Sequence, residues 1–281
     1  MTACAPTAAT ISCARAAVID GIGWARWRAL SWFRFAMAAE LVLLHGFTLT
    51  GRSWRPVLDA LAARYRAIAP DLPGHGEFAE RRPASFAACD AYIRVLAEAP
   101  ITLAGYSMGG RIALHAALSL GPRVRRLVLI GASPGIADLA ERAARAVDDA
   151  ALADRIEAIG LEAFVREWAA QPLFEGMPRG IAAIVQADRM RNTAAGLAAA
   201  LRGLGAGVMP PLWERLGELT LPVDLVVGER DEKFRAIAER MAAALPDTRL
   251  HVVPGAGHAA HLEAPDAVAE IVAGGGIGTA H

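Results

Sequence analysis

The chain has 281 residues, 54% of them hydrophobic, which is enough for one large α/β domain carrying an inserted subdomain. Lysine plus arginine equals aspartate plus glutamate at 29 each, so no bulk field recommends a nucleic acid or an anionic membrane as partner. Cys4, Cys13 and Cys89 are too few and too scattered for a disulfide framework or a zinc cluster, as suits a reducing compartment, and no apolar run is long enough to span a bilayer.

Residues 1–36 form an N-terminal extension of uncertain structure. They carry Arg15, Arg26, Arg28 and Arg34 against a single Asp20, with Trp24, Trp27 and Trp32 between them. A targeting segment would need an apolar run followed by a small-residue cleavage site, and none is present. Two readings stay open: a divergent strand or hairpin on a sheet edge, or an extension upstream of a start at Met37.

From Glu40 the pattern becomes regular. Residues 41–44 are a short apolar run, as in a strand buried on both faces, ending in His45-Gly46-Phe47. A helix is expected over 54–63, a strand over 65–69 ending in the segment 71–76, and a helix over 86–98. A strand over 101–104 then meets Gly105-Tyr106-Ser107-Met108-Gly109, followed by a helix over 108–120 and a strand over 126–130. Repeated strand–helix alternation argues for a mostly parallel sheet flanked by helices, with functional loops at the strands' carboxyl ends. Over 136–209 the alternation stops. Only alanine-rich helical stretches remain, broken at Gly160, Gln171-Pro172, Met177-Pro178 and 203–207, which predicts a helical lid inserted into a core made of 37–135 and 210–281. Strands resume over 222–227 and 248–253.

The G-x-S-x-G segment has the form of a nucleophile elbow. A sharp strand-to-helix turn exposes Ser107 beside the unpaired N–H groups of a helix N-terminus. The loops after the last two strands supply Asp231 and His258, so the order Ser107, Asp231, His258 is that of the α/β-hydrolase fold. A serine hydroxyl needs an imidazole to take its proton, and the imidazole needs a carboxylate to hold one tautomer. Four residues compete for the last two roles: Asp224 and His251, which lie within strands, and Glu229 and His261. The oxyanion donors are expected to be the backbone N–H groups of Phe47 and Met108. Arg111, one helical turn after Ser107, falls on the same face.

His258 and His261 have the spacing of a metal pair, but no acidic third ligand accompanies them. Gly203, Gly205 and Gly207 follow no strand, so no dinucleotide fingerprint is present. The expectation is therefore no metal and no cofactor.

The segments 43–47, 71–76, 105–111, 132–135, 171–174, 228–234 and 255–258 together resemble the menaquinone-pathway synthases of the α/β-hydrolase superfamily, the 2-succinyl-6-hydroxy-2,4-cyclohexadiene-1-carboxylate synthases. The resemblance covers about 41–269. The elbow and His-Gly motifs are shared by much of the superfamily, whereas the lid segments and Gly228-Glu229-Arg230-Asp231-Glu232-Lys233-Phe234 discriminate more. The resemblance implies a lyase, in which the triad acts as a base and a small-molecule tricarboxylate loses pyruvate; a cytoplasmic location is expected from the missing targeting signals. By match to the family motifs, Arg145 and Arg189 join Arg111 as substrate arginines, with Tyr106 and Trp168 lining the pocket. Arg142 and Arg191 are close rivals, and the lid's eight arginines against ten acidic residues make it no basic patch overall. The family's N-terminal strands are not recognisable in residues 1–36.

Overall fold

The computed structural model describes residues 40–61, 65–97 and 100–274, so the expectations for residues 1–36 lie outside the described residues. Six strands form one sheet in the order β2-β1-β3-β4-β5-β6, every neighbouring pair parallel. They are β1 (Leu41–Leu44), β2 (Ala67–Ile68), β3 (Ile101–Tyr106), β4 (Val124–Ile130), β5 (Val223–Gly228) and β6 (Thr248–Val253). Strand β2, expected over five residues, pairs with β1 over two only, Ala67 and Ile68, and β1 is its one neighbour among the described residues.

The inner strands are buried on both faces, and alternate residues enter different cores. Val42 and Leu44 join Leu103, Leu127 and Leu129 on one face, whereas Leu41 and Leu43 join Ala104, Val128 and Ile130 on the other. Helices α2 (Phe86–Leu96), α3 (Met108–Leu120) and α7 (Glu232–Ala242) cover the first face through Ile93, Ile112 and Met241. Helices α1 (Arg55–Ala60), α8 (Ala260–Glu263) and α9 (Pro265–Val272) cover the second through Val57, Leu262 and Ile271. The helix expected from residue 54 begins instead as a 3₁₀ turn, Gly51–Trp54, because the Thr50 side chain accepts from Arg52 N and Pro56 stands in the first turn of α1.

Between β4 and β5 lie α4 (Leu139–Ala169), a 3₁₀ turn at Pro172–Phe174, α5 (Arg179–Arg189) and α6 (Ala194–Leu204). Gly160 interrupts α4 with φ 77° and ψ 168°. Helices α4 and α6 share a small core of Ile156, Phe164, Val165, Leu197 and Leu201, against which Phe47 and Trp168 pack, whereas Val185 of α5 joins the core on the second face of the sheet. Phe47 thus ties the loop after β1 to the inserted helices. Among the described residues no helix is long and apolar enough to cross a membrane.

One charge is buried deep in the sheet. Asp224 on β5 accepts from Arg126 at 2.6 and 2.8 Å and from His251 Nε2 at 2.7 Å, while Arg126 also donates to the carbonyls of Ile271 and Val272 at the end of α9. Burial alone would raise the Asp224 pKa, but the His251 and Arg126 bonds outweigh it and the net shift is downward. A depressed carboxylate pKa adds stability that is complete above the ordinary aspartate range and is lost as pH falls below it. Asp224→Ala strands a buried guanidinium and is expected to lower stability by roughly 3 kcal/mol, read as an earlier urea midpoint at neutral pH.

Candidate active site

Strand β3 runs straight into α3, and Ser107 sits at the junction with φ 51° and ψ −110°. A positive φ at a residue with a side chain is strained and persists only where its surroundings hold it. Ser107 N donates to Ile130 O on β4 at 2.8 Å, and Arg111 N donates to Ser107 O at 3.0 Å. Gly105 and Gly109 make the turn sterically feasible. A Cβ on Gly105 would collide with the backbone of Gly109, and one on Gly109 with the carbonyls of Leu44 and His45.

The loops after β5 and β6 bring the other two residues to this point. His258 Nε2 lies 3.2 Å from Ser107 Oγ, and His258 Nδ1 lies 2.6 Å from Asp231 Oδ2. The carboxylate can only accept, so Nδ1 carries the hydrogen and Nε2 is left to accept the serine proton. Asp231 Oδ1 accepts weakly from Phe234 N at 3.5 Å, which caps α7 and orients the carboxylate. The Phe234 ring lies 4.5 Å from the imidazole on one flank and the Tyr106 ring 5.2 Å away. The rivals are occupied elsewhere. His251 and Asp224 bond each other, Glu229 accepts from Gly255 N, and His261 is buried between Trp54 and Tyr106 with its pKa pushed down to about 3 by burial and by the neighbouring His258 and His45.

A cavity of about 980 Å³ opens over Ser107 and His258. Phe47, Met108, Arg111, Arg145 and Trp168 line it, so the structure brings together the serine, both expected backbone-donor residues and three of the five expected substrate residues. Tyr106 and Arg189 are not on its wall. Tyr106 lies beneath His258 and His261, and Arg189 is 3% exposed with its guanidinium stacked 4.5 Å from the Phe174 ring. Of the rivals, Arg191 is 3.8 Å from Asp188, and neither Arg142 nor Arg191 lines the cavity.

The cavity's cations differ in how they are compensated. Arg145 pairs with Asp149 at 2.7 Å and Arg230 with Glu263 at 2.6 Å. Arg111 has no carboxylate partner among the described residues, and its Nη1 is buried with no acceptor. Burial, then the nearby Arg145 charge, pushes its pKa down to about 10, so it remains a cation at neutral pH. The buried Nε1 of Trp168 also lacks an acceptor. Sequence reasoning missed Lys233, which lines the cavity beside Asp231. It is the only lysine in the chain, a signal open to anyone counting residue types. Among the described residues no three His, Cys, Asp or Glu side chains are grouped as a metal site requires.

A serine at a strand–helix elbow, bonded through histidine to aspartate on a parallel sheet, defines an α/β-hydrolase-fold protein, and the Alpha/beta hydrolase family model matches residues 41–271. A Klebsiella pneumoniae protein named 2-succinyl-6-hydroxy-2,4-cyclohexadiene-1-carboxylate synthase is 36% identical over 232 residues, 81% of this chain and 90% of that one. A Bacillus subtilis protein that carries the same name provisionally is 40% identical over 256 residues, 85% of this chain and 93% of that one. The solved structure of MenH from S. aureus superposes with a TM-score of 0.78 at 34% identity, covering 83% of this chain and 91% of that one. The chain belongs to the α/β-hydrolase family and, within it, to the 2-succinyl-6-hydroxy-2,4-cyclohexadiene-1-carboxylate synthases, a family of enzymes.

The imidazole's placement depends on Gly131, the residue after β4. Its φ is 53°, and a Cβ there would stand 2.8 Å from His258 Cε1 and 3.0 Å from Nδ1. Gly131→Ala is expected to displace the ring and slow phosphonylation of Ser107 by a fluorophosphonate about tenfold or more, with a stability loss of about 1 kcal/mol from the unfavourable φ. A labelling rate equal to that of the parent protein would show that the ring does not depend on this glycine.

Proposed function

We propose that this chain removes pyruvate from 2-succinyl-5-enolpyruvoyl-6-hydroxy-3-cyclohexene-1-carboxylate by a 2,5-elimination, giving 2-succinyl-6-hydroxy-2,4-cyclohexadiene-1-carboxylate for menaquinone biosynthesis in the cytoplasm. The observation that carries the reading is Arg111. It is a cation on the wall of the serine's own cavity, without a carboxylate partner among the described residues and with a buried donor left unsatisfied. A desolvated, unpaired charge is costly, and an anionic substrate removes the cost. Lys233 is a further cation on the same wall, Arg145 stands there paired with Asp149, and Trp168 adds a second unsatisfied donor, so an anionic substrate finds several complementary groups. Arg189 and Tyr106, behind the wall, support it from the second layer in this reading.

In the reaction His258, oriented by Asp231, takes the Ser107 proton, and the serine oxygen removes the ring proton at C2, α to the succinyl carbonyl. The electron pair moves onto the carbonyl oxygen, where the Phe47 and Met108 N–H groups hold the enolate. It then returns through the ring to form the C2=C3 and C4=C5 bonds, and the C5–O bond breaks. The departing enolpyruvate takes up a proton and becomes pyruvate. No water is consumed and no acyl-enzyme forms.

The same three residues serve acyl transfer equally well, so hydrolysis of a small acidic ester is the competing reading. Pyruvate release from freshly generated substrate, run beside hydrolysis of a short activated ester, separates the two. Rapid pyruvate formation that disappears in Ser107→Ala is the expected result. Fast ester cleavage without pyruvate would leave the hydrolase reading.

Arg111→Ala is expected to raise KM about tenfold to a hundredfold, the range for losing a charge-assisted hydrogen bond. Arg111→Lys restores the charge without the planar fork and recovers only part of that loss. An unchanged KM in both variants would remove Arg111 from the binding site.

A further inference from the structure

The loop that carries Phe47 is not held by its own strand alone. Residues Gly46 to Leu49 form a turn, closed by Leu49 N donating to Gly46 O at 3.2 Å, with Thr48 at φ 68°. A β-branched residue with that φ is a backbone outlier and needs outside support. At the base of the turn His45 supplies part of it, with Nδ1 donating to Gly46 O at 2.9 Å and Nε2 accepting from Leu72 N at 2.9 Å. The rest comes from the end of α5 and the residues just after it in the insertion, about 140 residues away in the chain.

Asp188 accepts from both the backbone N–H and the hydroxyl of Thr50, at 2.8 and 2.5 Å. Asn192 donates to Thr48 O at 2.7 Å and to Arg189 O at 3.0 Å, and its carbonyl accepts from Gly76 N at 3.0 Å. Both side chains are buried, and the Asn192 amide is satisfied on both ends. One carboxylate and one amide therefore grip the carbonyl of the strained Thr48, the residue two beyond it, and the loop after β2.

We infer that Asp188 and Asn192 are positioning residues that hold the Thr48 turn, and through it the Phe47 N–H, in the orientation an oxyanion requires. This rests on the reading that Phe47 N–H holds the developing negative charge. The helical insertion is then a fixed part of the reaction centre at its α5 end, whatever the rest of it does.

The test uses the full-length protein and the variants Asn192→Ala, Thr50→Val and Thr50→Ser. Three quantities are measured: kcat and KM for pyruvate release, the rate of Ser107 phosphonylation by a fluorophosphonate, and the thermal midpoint. In phosphonylation the Ser107 Oγ–P bond forms, the P–F bond breaks, fluoride leaves and His258 takes the serine proton. The phosphoryl oxygen uses the same two N–H donors, so the probe reports their geometry without any assumption about the natural substrate. Removing one oxyanion donor outright typically costs about a hundredfold or more. Asn192→Ala is expected to lower both kcat and the phosphonylation rate by about tenfold or more, with KM within about twofold. Thr50→Val should follow the same pattern, and Thr50→Ser, which keeps the hydroxyl on Asp188, should recover most of the loss. The inference is overturned if both rates stay within about twofold in Asn192→Ala, or if they fall only in proportion to the folded fraction. It is equally overturned if Thr50→Ser is as impaired as Thr50→Val. A parent protein that is phosphonylated but releases no pyruvate would sink the proposed reaction while leaving the phosphonylation series to judge the two positioning residues.

Discussion

The left-handed backbone at Ser107 is the constraint on which the rest depends. A serine does not adopt φ 51° unassisted, and the turn exists because two glycines let strand, helix and the β1 loop come into contact there. Once the turn is set, the parallel register decides what surrounds it. Leu44 on β1 stands beside Gly105, Gly105 beside Leu129, Ile130 beside Val226 and Gly228 beside Val253. Every strand therefore ends on the same side of the sheet. Residues 151 and 27 positions apart in the chain meet within hydrogen-bond distance without any long excursion of the backbone.

Three sets of desolvated charge show three different outcomes of the same physics. Asp224 is saturated by Arg126 and His251 and has nothing left to offer a ligand. Asp231 shares its charge with one imidazole, which holds that imidazole in one tautomer and leaves Nε2 free to accept. Arg111 has no carboxylate partner within ion-pair distance among the described residues, and the one negative charge that acts on it is that of Asp149, itself bonded to Arg145. Desolvation of an unpaired guanidinium is a persistent cost, and it is the sort of cost that functional sites carry and structural networks do not. The contrast with Asp224, buried and fully paired, is what makes Arg111 informative.

The sheet and the elbow were legible in the sequence because both follow from local rules. Short apolar runs bounded by turns gave strands within a few residues of their observed ends, and the glycine spacing around Ser107 has a steric meaning that can be read without coordinates. Strand β2 is shorter than expected, since apolar character does not say over how many residues a strand pairs. The insertion's helices and the break at Gly160 were legible for the same local reason. Which side of the cavity wall a residue occupies was not. Arg145 and Arg189 look alike in sequence, yet one lines the cavity and the other stacks on Phe174 behind it, a difference that arises from how α4 and α5 dock. The bonds from Asp188 and Asn192 to the β1 loop were invisible for a further reason: Asp and Asn near a helix end ordinarily read as capping or solvated residues.

Those bonds change how the insertion is understood. A cover that merely encloses substrate would touch the core through apolar contacts, which tolerate sliding. Here Asp188 near the end of α5 and Asn192 just beyond it reach the loops after β1 and β2 through buried, directional hydrogen bonds to backbone groups, and each would be left unsatisfied if that end of the insertion moved away. Phe47 adds an apolar tie between the same two parts, since its backbone belongs to the core while its ring packs against Phe164 and Trp168 of the insertion. Opening the cavity by lifting α5 would therefore disturb the Phe47 backbone at the same time.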